Sequence, residues 1–252
     1  MILVRKKLNK CFNRKTMWLL MLPLFFSCIQ SKNKIQEAKH YEITAAKQDS
    51  AVMSLILPYQ KKIQDSMSQQ IAEVTQPLIK ETPEGNLGNF VCDALLSYHR
   101  LYIADTVQPA DFVLLNNGGL RTNLPSGKLT IGKIFELMPF ENQLALVTIN
   151  PEKMKDLLSF IAKKKGMPVA GLSGKIVGEK MMDVKIGNAP YNDKKNYVVL
   201  TSDYLMNGGD NMIFFENPVR KVHLNKLIRS ALIDFCISET KKGNKINSVK
   251  DG

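Results

Sequence analysis

Three short polar stretches hold the residues of this chain best suited to gripping a small polar molecule. The first, Asn116–Arg121 (NNGGLR), sets two amides and two glycines ahead of an arginine. Glycine permits a left-handed turn and close backbone approach, and a guanidinium offers a fixed fork of donors. The second, Met138–Asn142 (MPFEN), places Phe140 beside a stiffening proline. The third, Asp203–Asp210 (DYLMNGGD), pairs Tyr204 with two glycines and the carboxylate of Asp210. Taken singly, each has an ordinary explanation: a turn, a core aromatic, a capped turn. Together they offer two aromatic faces, a carboxylate and a guanidinium. Aromatic rings stack a base, a carboxylate accepts from paired ribose hydroxyls, and arginine answers negative charge. The set suits a nucleoside.

Other chemistries fall away. SGKLT (126–130) approaches a phosphate-binding loop, but Leu129 follows its GK, and Thr122 stands where the first glycine belongs. HExxH, G-x-S-x-G and CxxC are all missing. His40, His99 and His223 are scattered, and none has an aspartate two residues before it. A two-metal hydrolytic site needs several His, Asp and Asn ligands in short clusters, so a self-contained metallohydrolase is not expected. His99, near a helix end, reads as a cap for that end rather than a ligand.

The elements that must hold these stretches follow from periodicity. Asp49 or Ser50 can cap a helix in which Val52, Leu55, Ile56, Tyr59, Ile63 and Met67 recur at helical spacing, with Pro58 inside as a source of kinking. Residues 71–80 read as extended, Pro77 marking an edge. A helix is expected from Leu87 to Tyr98, then a short buried strand over Asp111–Leu115 leading into the first polar stretch. Helix Ile131–Leu137, strand Leu144–Ile149 and helix Pro151–Lys164 come next, the last opening on proline and closing on lysines. Strands are expected at 170–177, 180–186 and 197–202, with a closing helix at 224–240. The interspersed order without strict βαβ regularity favours α+β. Cys92 and Cys236 fall in apolar helical patterns and read as buried free thiols.

The net charge of +12 is concentrated at the start. Arg5, Lys6, Lys7, Lys10, Arg14 and Lys15 precede the apolar run Met17–Phe26 and then Ser27-Cys28. This is the pattern of a secretory signal, and the run is far short of the roughly 20 residues of a membrane-spanning helix. Loss of residues 1–27 would remove those six cations and lower the charge from +12 to +6, so nucleic acid is not an expected partner. Cys28 after a small residue resembles a bacterial lipoprotein box, which implies a lipid-anchored N-terminus in the cell envelope, on its periplasmic or cell-surface side. Residues 28–48 read as a polar tether, with a short strand at 40–44, ahead of a domain spanning 49–252.

Three segments carry a resemblance to a known family: GNLGNFVCDALL (85–96), LNNGGLRTNLPSGKLTIGKIFELMPFEN (115–142) and TSDYLMNGGDNMIFF (201–215). They resemble the C-terminal domain of the 5′-nucleotidases, a family that also includes UDP-sugar hydrolases and 2′,3′-cyclic phosphodiesterases. The resemblance implies a four-layer α/β/β/α sandwich that holds the nucleoside. It also implies that Phe140 and Tyr204 sandwich the base, and that Asp210 holds the ribose hydroxyls. Asn116, Gly118, Gly119 and Arg121 would line the pocket between base and phosphate. Tyr204 stands where phenylalanine is commoner. Arginine is missing from Lys80–Glu84, where the family tends to place one, which weakens the expected grip on phosphate. In the family a separate N-terminal metallophosphoesterase domain carries two metals and cleaves the ester.

The expected function is therefore the nucleoside- or nucleotide-binding half of a split 5′-nucleotidase-type hydrolase. Such a chain would bind no cofactor itself, would be inactive alone, and would rely on divalent metals held by a separate metallophosphoesterase chain. The alternative is a non-catalytic lipoprotein that captures nucleosides or nucleotides for uptake or sensing.

Overall fold

The computed structural model describes residues 49–103 and 107–249. The signal, Cys28, the tether and the strand expected at 40–44 lie outside the described residues. Helix α1 (Ser50–Met67) and strand β1 (Gln70–Val74) lead into α2 (Asn86–Tyr102) and β2 (Phe112–Leu114). Then come β3 (Gly127–Thr130), α3 (Ile131–Leu137), β4 (Gln143–Ile149) and α4 (Pro151–Lys163). Strands β5 (Val169–Ala170), β6 (Leu172–Val177), β7 (Lys180–Ile186), β8 (Ala189–Pro190) and β9 (Tyr197–Ser202) follow. A short α5 (Asp203–Met206), strand β10 (Arg220–Leu227) and α6 (Ile228–Lys241) complete the order.

The main sheet runs β10-β4-β9-β2-β5, with β2 and β9 parallel and every other pairing antiparallel. All six residues of β9 are buried, as the apolar run Tyr197–Leu200 requires of a strand covered on both faces. Its side chains alternate between two cores. Val198 and Leu200 face a core with Val91, Leu95, Leu232 and Cys236 of α2 and α6. Tyr197 and Val199 face another with Met154, Leu157 and Ile161 of α4, closed by Phe214 and Phe215. Emptying either side is costly: truncation of a fully buried leucine such as Leu200 to alanine loses about 2–5 kcal/mol. The mixed α/β architecture implied by the resemblance is the one observed.

Helix α4 starts as its sequence dictates. Asn150 accepts a hydrogen bond from the Lys153 N–H at 2.9 Å, and Pro151 occupies the first turn. The strand expected at 170–177 is instead two, broken where Gly171 takes φ +77°. The closing helix starts four residues later than expected, because Leu224–Leu227 continue β10 alongside β4. A register shift between His223 and Leu227, with Asn225 at φ 51°, disguises that strand's alternation. Strand β3, unforeseen, pairs with β1.

Two surface features stand out. In α1 the apolar stripe is not buried: Leu55 is 72%, Tyr59 73% and Ile63 60% exposed. At the other end of the chain the tail returns to β1. The Ile246 N–H donates to Glu73 O at 2.8 Å, and the Thr75 N–H donates to Ile246 O at 3.0 Å. Gln76 Nε2 donates to Ser248 O at 2.7 Å.

Candidate functional site

The sheet topology explains why three stretches distant in sequence meet. Strands β2 and β9 are parallel neighbours, so Asn116 and the Tyr204–Asp210 segment both leave the sheet at the same end. Strand β4 is antiparallel to β9, with Leu144 opposite Ser202, so it begins where β9 finishes and brings Met138–Asn142 to that end. Ligands of open α/β sheets bind outside carboxyl strand ends in the same way. Asp203 ties the second and third stretches together: its Oδ1 accepts from the Gln143 N–H at 3.0 Å and the Tyr204 N–H at 2.8 Å.

On one wall, Asp210 is the hub. Its Oδ2 accepts from Asn116 Nδ2 at 2.6 Å and its Oδ1 from the Tyr204 hydroxyl at 2.9 Å. That hydroxyl accepts in turn from the Asp210 N–H at 3.3 Å. Asp210 adopts φ 54°, a left-handed conformation that aspartate tolerates better than most residues. The Tyr204 ring lies on Gly209, where an added Cβ would sit 2.5 Å from a ring carbon, so one face is covered by backbone. The side chain is nevertheless 46% exposed. Beside it opens a shallow depression bounded by Asn142, Asp203, Asn207 and Gly208.

In the neighbouring first stretch, NNGG does not use the left-handed turn that its glycines permit. Asn117–Gly119 is one 3-10 turn, closed by the Gly119 N–H donating to Asn116 O at 3.1 Å. Close approach is what the glycine supplies: a Cβ on Gly119 would lie 2.8 Å from Asn116 Oδ1. Arg121 Nη1 donates to Gly118 O at 3.4 Å, and its guanidinium carbon sits 5.9 Å from the Phe140 ring centre. Phe140 is 50% exposed, which with the exposure of Tyr204 excludes a core role for either aromatic. All seven expected residues thus belong to one connected cluster, from Tyr204 through Asp210 and Asn116 to Gly118, Gly119, Arg121 and Phe140.

Three contributors were not anticipated. Lys80 donates through Nζ to Leu120 O at 3.0 Å, placing a cation next to Arg121 although the stretch lacks arginine. Reading lysine as well as arginine at 80–84 would have found it. Asp203, inside the third stretch, and Arg229, outside all three, act on the aromatic stretches through backbone atoms, a role that residue type does not encode. His99 does not cap its helix with its side chain. It is fully buried, and Nε2 accepts from the Ala110 N–H at 3.1 Å. Burial holds its imidazole below the ordinary value. Cys92 and Cys236 are buried free thiols as expected, and burial pushes Cys236 up to about 12.

Among the described residues no group of three or more His, Cys, Asp or Glu side chains could hold a metal ion. Asp210 is surrounded by an amide and a phenol, both donating to it, which is a hydrogen-bonding set and not a metal-ligand set. The cluster can bind and orient a ligand, and no metal-assisted step is derivable from it. A roomier cleft of about 610 Å³ lies elsewhere, between α2, α4 and β6, and none of the cluster residues lines it.

The α+β domain thus gathers aromatic, carboxylate and guanidinium groups at one end of its main sheet. Residues 70–217 match the family described as 5′-nucleotidase, C-terminal domain, and the chain belongs to that family. All three motif segments lie inside the match. The chain is similar to the 5′-nucleotidase of Vibrio parahaemolyticus, 27% identical over 176 residues, covering 65% of this chain and 29% of that protein. It is also similar to the trifunctional nucleotide phosphoesterase protein YfkN of Bacillus subtilis, 29% identical over 151 residues, covering 53% of this chain and 10% of that protein. Its fold matches the 5′-nucleotidase precursor of Thermus thermophilus at a TM-score of 0.66 with 23% identity, over 82% of this chain and 43% of that one. The Haemophilus influenzae NAD nucleotidase matches at 0.58 with 17% identity, over 82% and 41%. The chain spans less than a third of the length of the Vibrio and Bacillus relatives.

Proposed function

We propose that this chain is the nucleoside- or nucleotide-binding half of a split 5′-nucleotidase-type phosphoester hydrolase acting in the cell envelope. The observation that carries the reading is the Asn116–Asp210–Tyr204 network facing Arg121 and Phe140 at the strand ends. Family membership supports it. In this reading the base stacks between the open face of Tyr204 and Phe140. Asp210, already oriented by two donors, uses its remaining lone pairs to accept from the ribose hydroxyls. Arg121 and Lys80 stand on the phosphate side. Bond cleavage belongs to divalent metals on a separate metallophosphoesterase chain, which would supply the activated water. A lipid on Cys28 would hold the complex at the membrane.

The test has two arms. The mature protein is purified from its own host, and any copurifying metallophosphatase is identified by mass spectrometry. Phosphate release from AMP is then measured with divalent metal, for the chain alone and with that partner. The expected result is release only with the partner. Metal-dependent release by the pure chain refutes the split-enzyme reading. Nucleoside binding without any such partner favours a capture lipoprotein.

A further inference from the structure

A cation at the start of α6 is in an unfavourable place. Arg229 is the second residue of that helix and only 8% exposed. Burial strips the guanidinium of water, and the positive end of the helix repels it. Its compensation comes from one short segment. Nη1 donates to Pro139 O at 3.1 Å and to Phe140 O at 3.2 Å, and Nη2 pairs with Glu141 Oε1 at 3.0 Å. The guanidinium also lies 4.5 Å from the Phe135 ring centre, and the neighbouring Ile228 N–H donates to Asn142 O at 3.0 Å. The Glu141 side chain is 81% exposed, so solvent screens that ion pair and the two carbonyls matter more. The backbone of residues 139–142 is thus fastened to α6 from below, while the Phe140 ring stands half exposed above it.

We propose that Arg229 is a positioning residue for base recognition, fixing the height and tilt of the Phe140 ring through the carbonyls of Pro139 and Phe140. The inference rests on the nucleoside-binding reading. Asp203 does the equivalent for Tyr204, by joining its N–H to that of Gln143. The backbones that carry the two rings are therefore each anchored by a buried or half-buried side chain. Lysine cannot replace Arg229, since a single ammonium offers neither a planar fork nor a stacking face.

The experiment uses the mature chain and 2-aminopurine riboside, whose fluorescence is quenched when its base stacks. Arg229→Lys and Arg229→Met are compared with wild type, the folded fraction being fixed by thermal melts. Expected are a Kd raised about tenfold or more and shallower quenching at saturation. The preference for the riboside over its 2′-deoxy form stays unchanged, because Asp210 and Asn116 are untouched. A merely structural Arg229 would lower the melting temperature and leave saturating quench and Kd of the folded protein at wild-type values. That outcome overturns the inference alone. Should Arg229→Met fail to fold, Arg229→Lys decides. Glu141→Gln should bind within about twofold of wild type, given its screened pair; a loss as large as that of Arg229→Lys would also overturn the assignment to the carbonyl contacts. If wild type neither binds nor quenches the riboside, the nucleoside-binding reading itself falls.

Discussion

Replacing Asp210 with asparagine would separate the charge of the ribose clamp from its shape. Asparagine keeps the side-chain length and tolerates φ 54°, whereas alanine there would add backbone strain of about 1 kcal/mol. Two of the carboxylate's roughly four acceptor positions are already taken by Asn116 and Tyr204, leaving about two for ribose hydroxyls. An asparagine has one oxygen: turned to Asn116 it sets its amide against the Tyr204 hydroxyl, and fewer acceptor positions remain for the ribose. Hydrogen bonds to a charged group contribute about 1.5–3 kcal/mol and neutral ones about 0.5–1.5. Asp210 is exposed in the unliganded protein, so the lower part of that difference applies: a loss of about 1–2 kcal/mol, or roughly 5–30-fold in affinity. Calorimetric titration with adenosine and 2′-deoxyadenosine reads both effects. Wild type should favour adenosine, and Asp210→Asn should lose most of that preference with little change in melting temperature. Adenosine affinity within about twofold of wild type, or an unchanged preference for the ribose form, would refute Asp210 as the ribose clamp.

Phe140→Ala should weaken nucleoside binding about ten- to a hundredfold by removing one stacking face, with a small effect on melting because the ring is half exposed; a large fall in melting temperature with intact affinity would contradict the site. His99 gives a pH test: its folded-state value lies below the ordinary 6.5 because burial disfavours the charged ring. The unfolded chain therefore takes up a proton first, so stability is complete above about pH 6.5 and declines as pH falls toward the folded value. Urea midpoints at pH 7.5 and 5 should differ less in His99→Gln, whose amide oxygen can accept from Ala110, than in wild type; equal differences would dismiss the effect. Cys28→Ser should release the protein from the membrane fraction and abolish fatty-acid labelling, and retention of both would exclude lipidation at that residue.

Elements whose signals are local were legible in the sequence. Helix α3 and strands β7 and β9 have the bounds expected, each being a clean period closed by proline, glycine or a polar cap. The junction of β10 and α6 was not legible, because Leu224 and Leu227 fit a helical stripe as well as a bulged strand, and only pairing with β4 decides between them. The same limit applies to the site. Its seven residues stood in motifs, and their types alone suggested a nucleoside. The link that joins NNGG to the third stretch is Asn116 reaching across to Asp210, 94 residues away. Arg229 is invisible for a similar reason, since its partners lie about 90 positions upstream and are mostly backbone atoms.

The return of the tail to β1 makes the chain order of this domain dispensable in a way that can be engineered. Ile246 pairs with Val74 in parallel, so the tail leaves near Gln76 while β1 is entered at Gln70. With α1 left out, a linker joining the two must run back along β1, some 20 Å at about 3.3 Å per residue, which eight to ten flexible residues cover. New ends could be opened at Gly178-Glu179, the exposed tip between β6 and β7, on a hairpin that carries no site residue. Such a circular permutant of the domain would keep every strand pairing that converges on Asn116, Phe140 and Tyr204, and would present its termini far along the chain from all three, free for fusion to a second protein.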